Sequence, residues 1–263
     1  MTDAIDIDRL RRETFVARVE HYAVLGSTND RAKQCASTMP PCETLPLLVV
    51  ADRQTEGRGR GSNRWWSAQG SLALSLLLDG QSWGEADASG PIVSLAAAVA
   101  VAETVVPLLP GRPVGIHWPN DVYAAGRKLA GVLVEVLPGR YFVVGIGLNV
   151  NNSVRNAPDE LRDSATALVD LTGAPHDRMA LLVGILRRFS ELLADWPGSP
   201  DRVARLADVL CLQHGRTLAV DYHDRVVRGV CAGIAADGAL LLDTAHGRER
   251  LTGGVVRAGP KRS

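Results

Sequence analysis

The sequence contains few cysteines and has no excess charge of either sign. Four cysteines occur among its 263 residues, and 29 basic side chains balance 29 acidic ones. The cysteines lack the paired spacing of a zinc site and are too few for a disulfide framework in a chain of this length, so we expect reduced thiols at Cys35, Cys42, Cys211 and Cys231. The balanced charge indicates no general affinity for nucleic acid or for an anionic membrane.

The sequence also lacks a targeting signal. The N-terminal stretch MTDAIDIDRLRRE mixes both charges without an apolar signal core. We find no apolar run of the roughly 18 residues that a membrane span requires. We therefore expect a cytoplasmic protein, and an apolar content of 46% is enough for one large domain and a small one.

The most unusual stretch is Gly57 to Ser67, GRGRGSNRWWS. Its alternating glycines let backbone N–H groups turn toward an anion. Its arginines suit phosphate or carboxylate oxygens, and two adjacent tryptophans offer flat surfaces for a purine. The loop separates two apolar runs, Leu45 to Ala51 and Ser71 to Leu78, which we predict to be core strands. Long connections of this kind are often binding loops, although a mobile surface loop and an RNA-binding segment are alternatives.

Two common phosphate-binding motifs are absent from this loop. The dinucleotide fingerprint requires glycine where Ser62 stands, and the element that follows is predicted as a strand rather than a helix. The spacing of a Walker A motif is also missing. The prediction of a nucleotide site therefore depends on the arginines and tryptophans themselves.

Apolar periodicity predicts the remaining elements. A helix begins at Ser27 or Thr28, whose hydroxyl groups can cap it, although a helix N-terminus is also a site for a polar ligand group. From His214 onward, short strands with glycine turns, including Asp237-Gly238, predict a small barrel. The predicted strands are His21–Leu25, Val114–His117, Val122–Ala124, Lys128–Leu137, Tyr141–Gly147, Thr217–Tyr222, Val226–Ala235, Ala239–Asp243 and Glu249–Val256, and the other helices are Pro91–Leu109, Asp177–Trp196 and a short one ending near Cys211.

Polar residues and glycines at the ends of the central strands have two readings each. Asn120 and Asp121 fit a turn, or they supply oxygen atoms to a magnesium ion or a sugar. Lys128 is either solvated or a point charge beside a phosphate. Gly145 and Gly147 strip one face of a strand, either for tight packing or for a ligand.

Five motifs, in this order along the chain, resemble those of the biotin protein ligases, also called holocarboxylase synthetases. Together with the terminal barrel they cover about residues 21 to 258. The motifs are Gly26-Ser27-Thr28-Asn29, Gln54-Thr55-Glu56-Gly57-Arg58-Gly59-Arg60, Trp118-Pro119-Asn120-Asp121-Val122, Lys128-Leu129-Ala130-Gly131-Val132-Leu133-Val134-Glu135 and Gly145-Ile146-Gly147-Leu148-Asn149-Val150-Asn151.

The resemblance implies an α+β fold and a two-step reaction. A catalytic domain related to class II aminoacyl-tRNA synthetases and lipoate ligases, with a mixed sheet and flanking helices, is expected over residues 1–212, and an SH3-like barrel over residues 213–263. Biotin and ATP would form biotinyl-5′-AMP and pyrophosphate with Mg²⁺. The biotinyl group would then pass to a lysine of a biotin carboxyl carrier protein of the acetyl-CoA carboxylase type.

The resemblance also implies site residues, in overlapping groups. It gives catalytic roles to Lys128, Arg58 and Arg60. Biotin contacts are implied for Ser27, Thr28, Asn29, Gln54, Arg58, Gly59, Arg60, Lys128, Gly131, Gly145 and Gly147. Nucleotide contacts are implied for Arg58, Arg60, Trp65, Asn120, Lys128 and Asn149, and Mg²⁺ contacts for Asn120 and Asp121.

The sequence departs from many bacterial relatives at Asn63, where they carry arginine, and adenylate retention is expected to differ for that reason. About 20 residues precede the first motif, too few for the winged-helix domain of ligase-repressors, so we expect no operator DNA binding. A homodimer through the catalytic sheet is a further expectation of the resemblance. A lipoate protein ligase and a non-catalytic biotin- or nucleotide-binding module are the alternative functions.

Overall fold

The structure, a computed structural model, describes residues 4–38, 45–80, 90–194, 199 and 201–257. Its larger sheet has seven strands in the order β1-β2-β3-β7-β6-β5-β4. Only β1 and β2 run parallel, and the other neighbours are antiparallel. The strands are β1 Arg18–Leu25, β2 Leu47–Gln54, β3 Leu72–Asp79, β4 Val114–His117, β5 Asp121–Ala124, β6 Arg127–Leu137 and β7 Tyr141–Leu148.

The smaller sheet is antiparallel and lies at the C-terminal end of the chain. Its five strands follow the order β11-β10-β9-β8-β12. They are β8 Thr217–Tyr222, β9 Arg225–Ile234, β10 Leu240–Thr244, β11 Gly247–Leu251 and β12 Val255–Val256. The sequence predicted one strand over Glu249–Val256, but this segment forms two strands at opposite edges of the sheet, as a chain closing into a barrel requires.

Helices cover both faces of the larger sheet. Helix α2 packs on one face, against β2, β3 and β7, whereas α3 packs on the other face, between the sheet and α6 and α7. The helices are α1 Ile7–Glu13, α2 Thr28–Thr38, α3 Gly90–Val105, α4 Asp159–Arg162, α5 Leu168–Thr172, α6 Arg178–Ala194 and α7 Arg202–Val209. Helices α1, α4 and α5 were not predicted from the sequence.

The alternation of side chains along β2 explains the two-sided core. Leu47 and Val49 pack in the cluster under α2 with Ala32 and Cys35, while the intervening residues belong to the main core. Because neighbouring side chains of a strand point to opposite faces, a strand that is apolar throughout must be covered on both sides. The apolar runs of β2 and β3 therefore predict a central position in a sheet with helices on both faces.

Helix α3 and the 3₁₀ turn after it, Gly90–Leu108, form an apolar segment of 19 residues. The expectation that no run is long enough to span a membrane was wrong by length and composition, because this segment is long and apolar enough to do so. In the folded protein, however, 67% of its most apolar window is buried, and α3 is a core helix. Cys42 and the last two residues of the predicted helix Asp177–Trp196 lie outside the described residues.

The small sheet is joined to the large one around Trp118. The indole N–H of Trp118 donates to the Gly238 carbonyl over 2.9 Å, and its backbone N–H donates to the Gln213 side chain over 2.7 Å. Residues 210–212 also extend the sheet beside β4, where Gly115 permits the approach because a Cβ there would lie 2.3 Å from the Leu210 carbonyl oxygen. The division predicted at residues 212 and 213 stays a prediction.

We expect Gln213→Ala to lower the free energy of unfolding by about 1–3 kcal/mol, because it leaves the Trp118 N–H buried without its acceptor. Chemical denaturation measured by circular dichroism tests this. Gln34→Ala, on the exposed side of α2, is the matched control and should change stability little. Equal stability of both variants would show that the Gln213 contact is dispensable.

Candidate active site

The site is built on a patch of sheet from which side chains are missing. Gly131 of β6 lies directly opposite Gly147 of β7, and Gly145 lies between Leu133 of β6 and Ser75 of β3. These three glycines share one face of the sheet because they are cross-strand partners or two residues apart. The face is the one that α2 covers. The sequence indicated each glycine separately, and the strand register brings them together as a floor.

Each glycine allows one functional side chain to rest on the sheet. A Cβ at Gly145 would lie 2.0 Å from the Asn29 amide oxygen, and a Cβ at Gly147 would lie 2.4 Å from the Trp65 ring. At Gly131 a Cβ would lie 3.2 Å from Cε of Lys128. Part of the space that we expected a ligand to use is thus filled by the protein's own side chains, which line the remaining cavity.

A chain of hydrogen bonds fixes the polar end of the cavity. Both the backbone N–H and the hydroxyl of Thr28 donate to the Gln54 amide oxygen, over 2.8 and 3.0 Å. The Ser75 hydroxyl lies 2.8 Å from the Thr28 hydroxyl and donates to the Asn29 amide oxygen over 2.6 Å. The Asn29 amide N–H then donates to Glu135 over 2.9 Å. Because all of these groups are buried or half-buried, the network holds the predicted biotin contacts in one arrangement.

The glycine–arginine loop has a defined turn rather than an irregular course. Gly59 N–H donates to the Asn63 carbonyl over 2.8 Å, and Trp65 N–H donates to the Gly57 carbonyl over 2.9 Å. Gly61, at the tip, has φ of +60°, and a Cβ at Gly57 would lie 2.5 Å from the Trp65 carbonyl oxygen. The glycines are therefore needed for a tight hairpin that presents the arginines between them.

The C-terminal end of this loop is anchored by a buried arginine. The Arg178 guanidinium, 2% exposed, donates to the Ser71 carbonyl over 2.9 Å and to Asp52 over 3.2 Å. The hydroxyls of Ser71 and Ser67 lie 3.1 Å apart, and the Ser67 hydroxyl accepts the backbone N–H of Gln54. Arg178 therefore connects the start of α6 to the base of the loop.

The predicted cations lie in three different environments. Lys128 is paired with Asp121 at 2.7 Å. Arg58 is paired with Asp30 at 2.7 Å and lies 3.3 Å from Glu135. The hydrogen bond to Asp30, together with the charge of Glu135, raises the pKa of Arg58. Its assignment to a phosphate stays a prediction, because in this structure its charge faces carboxylates.

Arg60 lies between the two sheets. Its guanidinium donates to the Gly254 carbonyl of the C-terminal sheet over 3.1 Å and lies 3.4 Å from the Asn120 amide oxygen. Burial lowers the pKa of Arg60, and nearby Asp121 opposes that shift. Since a guanidinium remains charged in proteins, burial places a positive charge in a poorly hydrated part of the cavity, where it acts strongly on an anion.

The polar side chains of Thr28, Asn29 and Gln54 and the three predicted cations face one cavity of about 1150 Å³, which is large enough for a small ligand together with a nucleotide. The C-terminal sheet supplies one wall of the cavity, through residues including Arg216, Ala219, Arg228 and Val255. The sequence-predicted site residues that line the cavity are Ser27, Thr28, Asn29, Gln54, Arg58, Gly59, Arg60, Trp65, Asn120, Asp121, Lys128, Gly131, Gly145, Gly147 and Asn149.

A stacked aromatic pair forms another part of the lining. The rings of His117 and Tyr123 are nearly parallel, with centroids 3.8 Å apart. Burial, reinforced by the positive charge of Arg216, lowers the pKa of His117 to about 4. Near neutral pH the imidazole is therefore uncharged and presents a flat, neutral surface to the cavity.

The predicted magnesium ligands have few free oxygen atoms. The Asn120 amide N–H donates to the Val132 carbonyl, its amide oxygen faces Arg60, and the Asp121 carboxylate binds Lys128. Within the described parts of the chain, no group of three His, Cys, Asp or Glu side chains could hold a metal ion. Asn120 and Asp121 therefore suit a metal ion that already carries most of its ligands when it enters the cavity.

Several residues that shape the site were not predicted from the sequence. Ser75 carries the single hydroxyl group of the apolar strand β3, and this isolated polar residue is the signal by which it could have been found. Glu135 ends the fourth family motif but received no role, and Arg178 gave no signal, because the contacts of both residues bridge distant parts of the chain. The indole N–H of Trp65 is buried without an acceptor, so this donor is available to a ligand that enters the cavity.

Comparison with protein families matches both parts of the chain. Residues 25–151 match the Biotin/lipoate A/B protein ligase family, and residues 214–257 match the Biotin protein ligase C terminal domain. The chain is 32% identical over 256 residues to the bifunctional ligase/repressor BirA of Bacillus subtilis, covering 95% of this chain and 77% of that protein. It is 34% identical over 235 residues to the biotin--[acetyl-CoA-carboxylase] ligase of Mycobacterium tuberculosis, covering 86% and 83%.

The fold is similar to that of a solved ligase structure. The biotin protein ligase of Aquifex aeolicus in complex with biotin and ATP superimposes with a TM-score of 0.80 at 29% identity, covering 92% of this chain and 99% of that one. The match includes the large mixed sheet and the C-terminal sheet. The expected α+β fold with a terminal SH3-like barrel is thus confirmed.

We expect Gly147→Ala to displace the Trp65 indole and to lower the free energy of unfolding by about 1–3 kcal/mol, because the added methyl would overlap the ring. Near-UV circular dichroism and denaturation measure the two effects. Gly253→Ala, where a Cβ meets nothing within 4 Å, is the control. An unchanged tryptophan signal in the Gly147 variant would contradict the packing described here.

We expect the stability of the protein to fall as the pH decreases from about 6.5 to about 4, in part because of His117. The folded-state pKa near 4 lies below the ordinary 6.5, so the unfolded chain binds this proton first and protonation favours unfolding. His117→Gln should remove that part of the pH dependence. Denaturation at a series of pH values tests this, and an unaltered slope in the variant would refute it.

Proposed function

The chain belongs to the biotin protein ligase family, and from that premise we propose how its cavity carries out the reaction. The enzyme joins biotin to ATP to form biotinyl-5′-AMP with release of pyrophosphate, and then transfers biotin to a lysine of a biotin carboxyl carrier protein. The observation that carries the assignment of residues is that all fifteen predicted site residues line a single cavity.

We assign the polar end of the cavity to the ureido group of biotin. Thr28, Gln54 and Asn29 are linked by hydrogen bonds and rest against the glycine floor. A ureido group offers two donors and one acceptor, which amide and hydroxyl side chains satisfy. Apolar side chains that line the cavity on the same face of the sheet as the glycines, Leu133 and Trp65 among them, would contact the carbon skeleton.

The first step requires two groups of like charge to meet. A carboxylate oxygen of biotin attacks the α-phosphorus of ATP, an O–P bond forms, and the bond to the β-phosphate oxygen breaks as pyrophosphate leaves with the electron pair. Lys128 and Arg60 face the same cavity and offset the repulsion between these anions. Lys128, already held by Asp121, is assigned to the oxygen atoms shared by carboxylate and phosphate.

The second step uses the mixed anhydride. The nitrogen of the acceptor lysine attacks the biotinyl carbonyl carbon, an amide bond forms, AMP leaves with the electron pair of the broken C–O bond, and a proton passes to solvent. Before that attack, water must be kept from the anhydride. The hairpin at Gly57–Ser67 lines one side of the cavity, where it would limit the access of water, and its glycines and the Arg178 anchor hold it in place.

We assign Mg²⁺ to the substrate rather than to a resident metal site. Asn120 and Asp121 offer two oxygen-bearing groups beside cations, which is too few for a dedicated cage. Mg²⁺ commonly keeps several waters and binds through one or two carboxylates together with substrate phosphates. Magnesium would therefore enter with ATP, and Asp121, which lines the cavity and is paired with Lys128, is the carboxylate that we assign to it.

Three further expectations of the family remain proposals for this chain. The carrier is expected to be of the acetyl-CoA carboxylase type, and the location cytoplasmic. A homodimer would form through the large sheet, for which β1 is the available edge, because among the described strands it pairs only with β2. The opposite edge, β4, is covered by residues 210–212.

We expect Lys128→Ala to slow biotin-dependent pyrophosphate release by about 100-fold or more, because it removes the charge assigned to the reacting oxygens. The assay mixes protein, Mg·ATP and biotin, with lipoate in a parallel series. Arg127→Ala is the matched control, since Arg127 is adjacent on the same strand and does not line the cavity.

The outcomes separate the candidate functions. Release with biotin that is retained in the Arg127 variant and lost in the Lys128 variant supports the assignment. Release with lipoate alone would make the chain a lipoate ligase. Binding of biotin without pyrophosphate release would make it a binding module.

A further inference from the structure

Glu135 is the carboxylate of strand β6, and it lies beside the polar end of the cavity. It shares one face of the sheet with Gly131 and Leu133, because the three residues occupy alternate positions of the strand. Glu135 itself stands outside the cavity lining, whereas Asn29, to which it is hydrogen-bonded, belongs to that lining. Glu135 therefore holds a predicted biotin contact from outside the cavity.

Three groups hold the Glu135 carboxylate in place. One of its oxygen atoms accepts the Asn29 amide N–H over 2.9 Å. The other oxygen lies 3.0 Å from the Lys33 ammonium and 3.3 Å from the Arg58 guanidinium. Burial raises the pKa of Glu135, but the hydrogen bonds from Asn29 and Lys33 outweigh burial and bring the pKa below its ordinary value. The carboxylate is thus ionised near neutral pH, and in that state it is an acceptor only.

An acceptor beside an asparagine side chain selects one of the two orientations of its amide, because one end of the amide donates and the other accepts. Glu135 faces the Asn29 nitrogen, and the Leu133 carbonyl lies 3.5 Å from the same nitrogen. The Ser75 hydroxyl, 2.6 Å from the Asn29 oxygen, suits either end, since a hydroxyl both donates and accepts. Glu135 is therefore the closest group that distinguishes the two orientations.

The selected orientation leaves the Asn29 oxygen over the glycine floor, where a Cβ at Gly145 would overlap it. An amide oxygen accepts two hydrogen bonds, and Ser75 supplies one, so one accepting position remains for a ligand. Gln54 has the opposite arrangement. Its oxygen accepts both donors of Thr28, and its amide N–H groups have no acceptor within the described part of the chain. The polar end thus offers an acceptor at Asn29 and donors at Gln54.

A ureido group has the complementary pattern, since its N–H groups donate and its carbonyl oxygen accepts. If the Asn29 amide were reversed, its N–H would face an N–H of the ligand, and both donors would be left without acceptors. The orientation of Asn29 is thus a condition for binding a ureido group. A ligand that lacks an N–H gains nothing from this orientation, which favours discrimination against such ligands.

We propose that Glu135 is a positioning residue for biotin specificity: it holds the Asn29 amide with its oxygen toward the cavity, where that oxygen accepts a ureido N–H. The inference rests on the proposed ligase function and adds a residue that does not itself touch the substrate. Without the Glu135 carboxylate the amide would adopt both orientations, and the fraction of protein competent to bind biotin would fall.

The test measures the dissociation constant of biotin by isothermal titration calorimetry for Glu135→Ala and Glu135→Gln variants of the whole protein. We expect affinity to fall about 10-fold in Glu135→Ala, because a hydrogen bond to a charged group is lost. The fall should be smaller in Glu135→Gln, since a glutamine oxygen still accepts the Asn29 N–H. Desthiobiotin, which keeps the ureido group but lacks the thioether ring, should lose affinity by the same factor. The KM for ATP in biotin-dependent pyrophosphate release should not change.

A double-mutant cycle with Asn29→Ala separates positioning from a general loss of stability. Because Glu135 acts through Asn29, Glu135→Ala should weaken biotin binding little further once the Asn29 side chain is absent. Lys33→Ala is the matched control. It removes an ion-pair partner of Glu135 and leaves the bond to Asn29 intact, so this variant should bind biotin as the unaltered protein does.

The proposal is wrong if Glu135→Ala binds biotin with unchanged affinity, or if the losses in the double mutant simply multiply. It is also wrong if the effect is confined to the KM for ATP, because Glu135 would then act through Arg58. A loss in Lys33→Ala equal to that in Glu135→Ala would show that the ion pair matters rather than the bond to Asn29. Failure of the proposed function is distinct from these results, since the unaltered protein would then release no pyrophosphate with biotin.

Discussion

The site depends on the absence of side chains from one patch of the large sheet. Gly131, Gly145 and Gly147 leave a trough, and the side chains of Lys128, Asn29 and Trp65 lie in it. An added methyl group at any of the three would press on a side chain assigned to a substrate, although the contacts at Gly145 and Gly147 are far closer than at Gly131. The polar network and the cavity follow from this close approach, since they begin from side chains that the glycines admit.

Two of the three cations assigned to the cavity already form ion pairs with carboxylates of the protein. Lys128 is held by Asp121, and Arg58 by Asp30 and Glu135. Burial raises the pKa of Glu135, but hydrogen bonds from Asn29 and Lys33 outweigh burial, and the net shift is downward. Arg60 differs from the other two cations, because it faces an amide and a carbonyl and has no carboxylate bonded to it in the described structure. An anion entering the cavity competes with carboxylates for Lys128 and Arg58 but meets Arg60 directly.

The sequence predicted much of the site because the residues concerned are clustered in short motifs with unusual composition. Alternating glycines and arginines, and strands with Gly145 and Gly147, can be seen without a structure. Contacts that join distant segments could not be predicted in this way: the Arg178 anchor and the Ser75 hydroxyl depend on strand order and register. The fold was predictable mainly where apolar runs were long, whereas short helices such as α5 lack the length for a periodic signal. The sequence predicted β11 and β12 as one strand because the turn between them is short.

The hydrogen bond between Arg60 and Gly254 joins residues that are 194 positions apart. Few contacts in a chain of this length demand so complete an ordering, because the loop, the sheet beneath it and the last strand must all be in place before the bond can form. The wall of the cavity that the C-terminal sheet supplies is therefore absent until the last strand has folded. Substrates that bind only the finished cavity would shift the folding equilibrium toward the whole molecule and would hold its last strand against fraying.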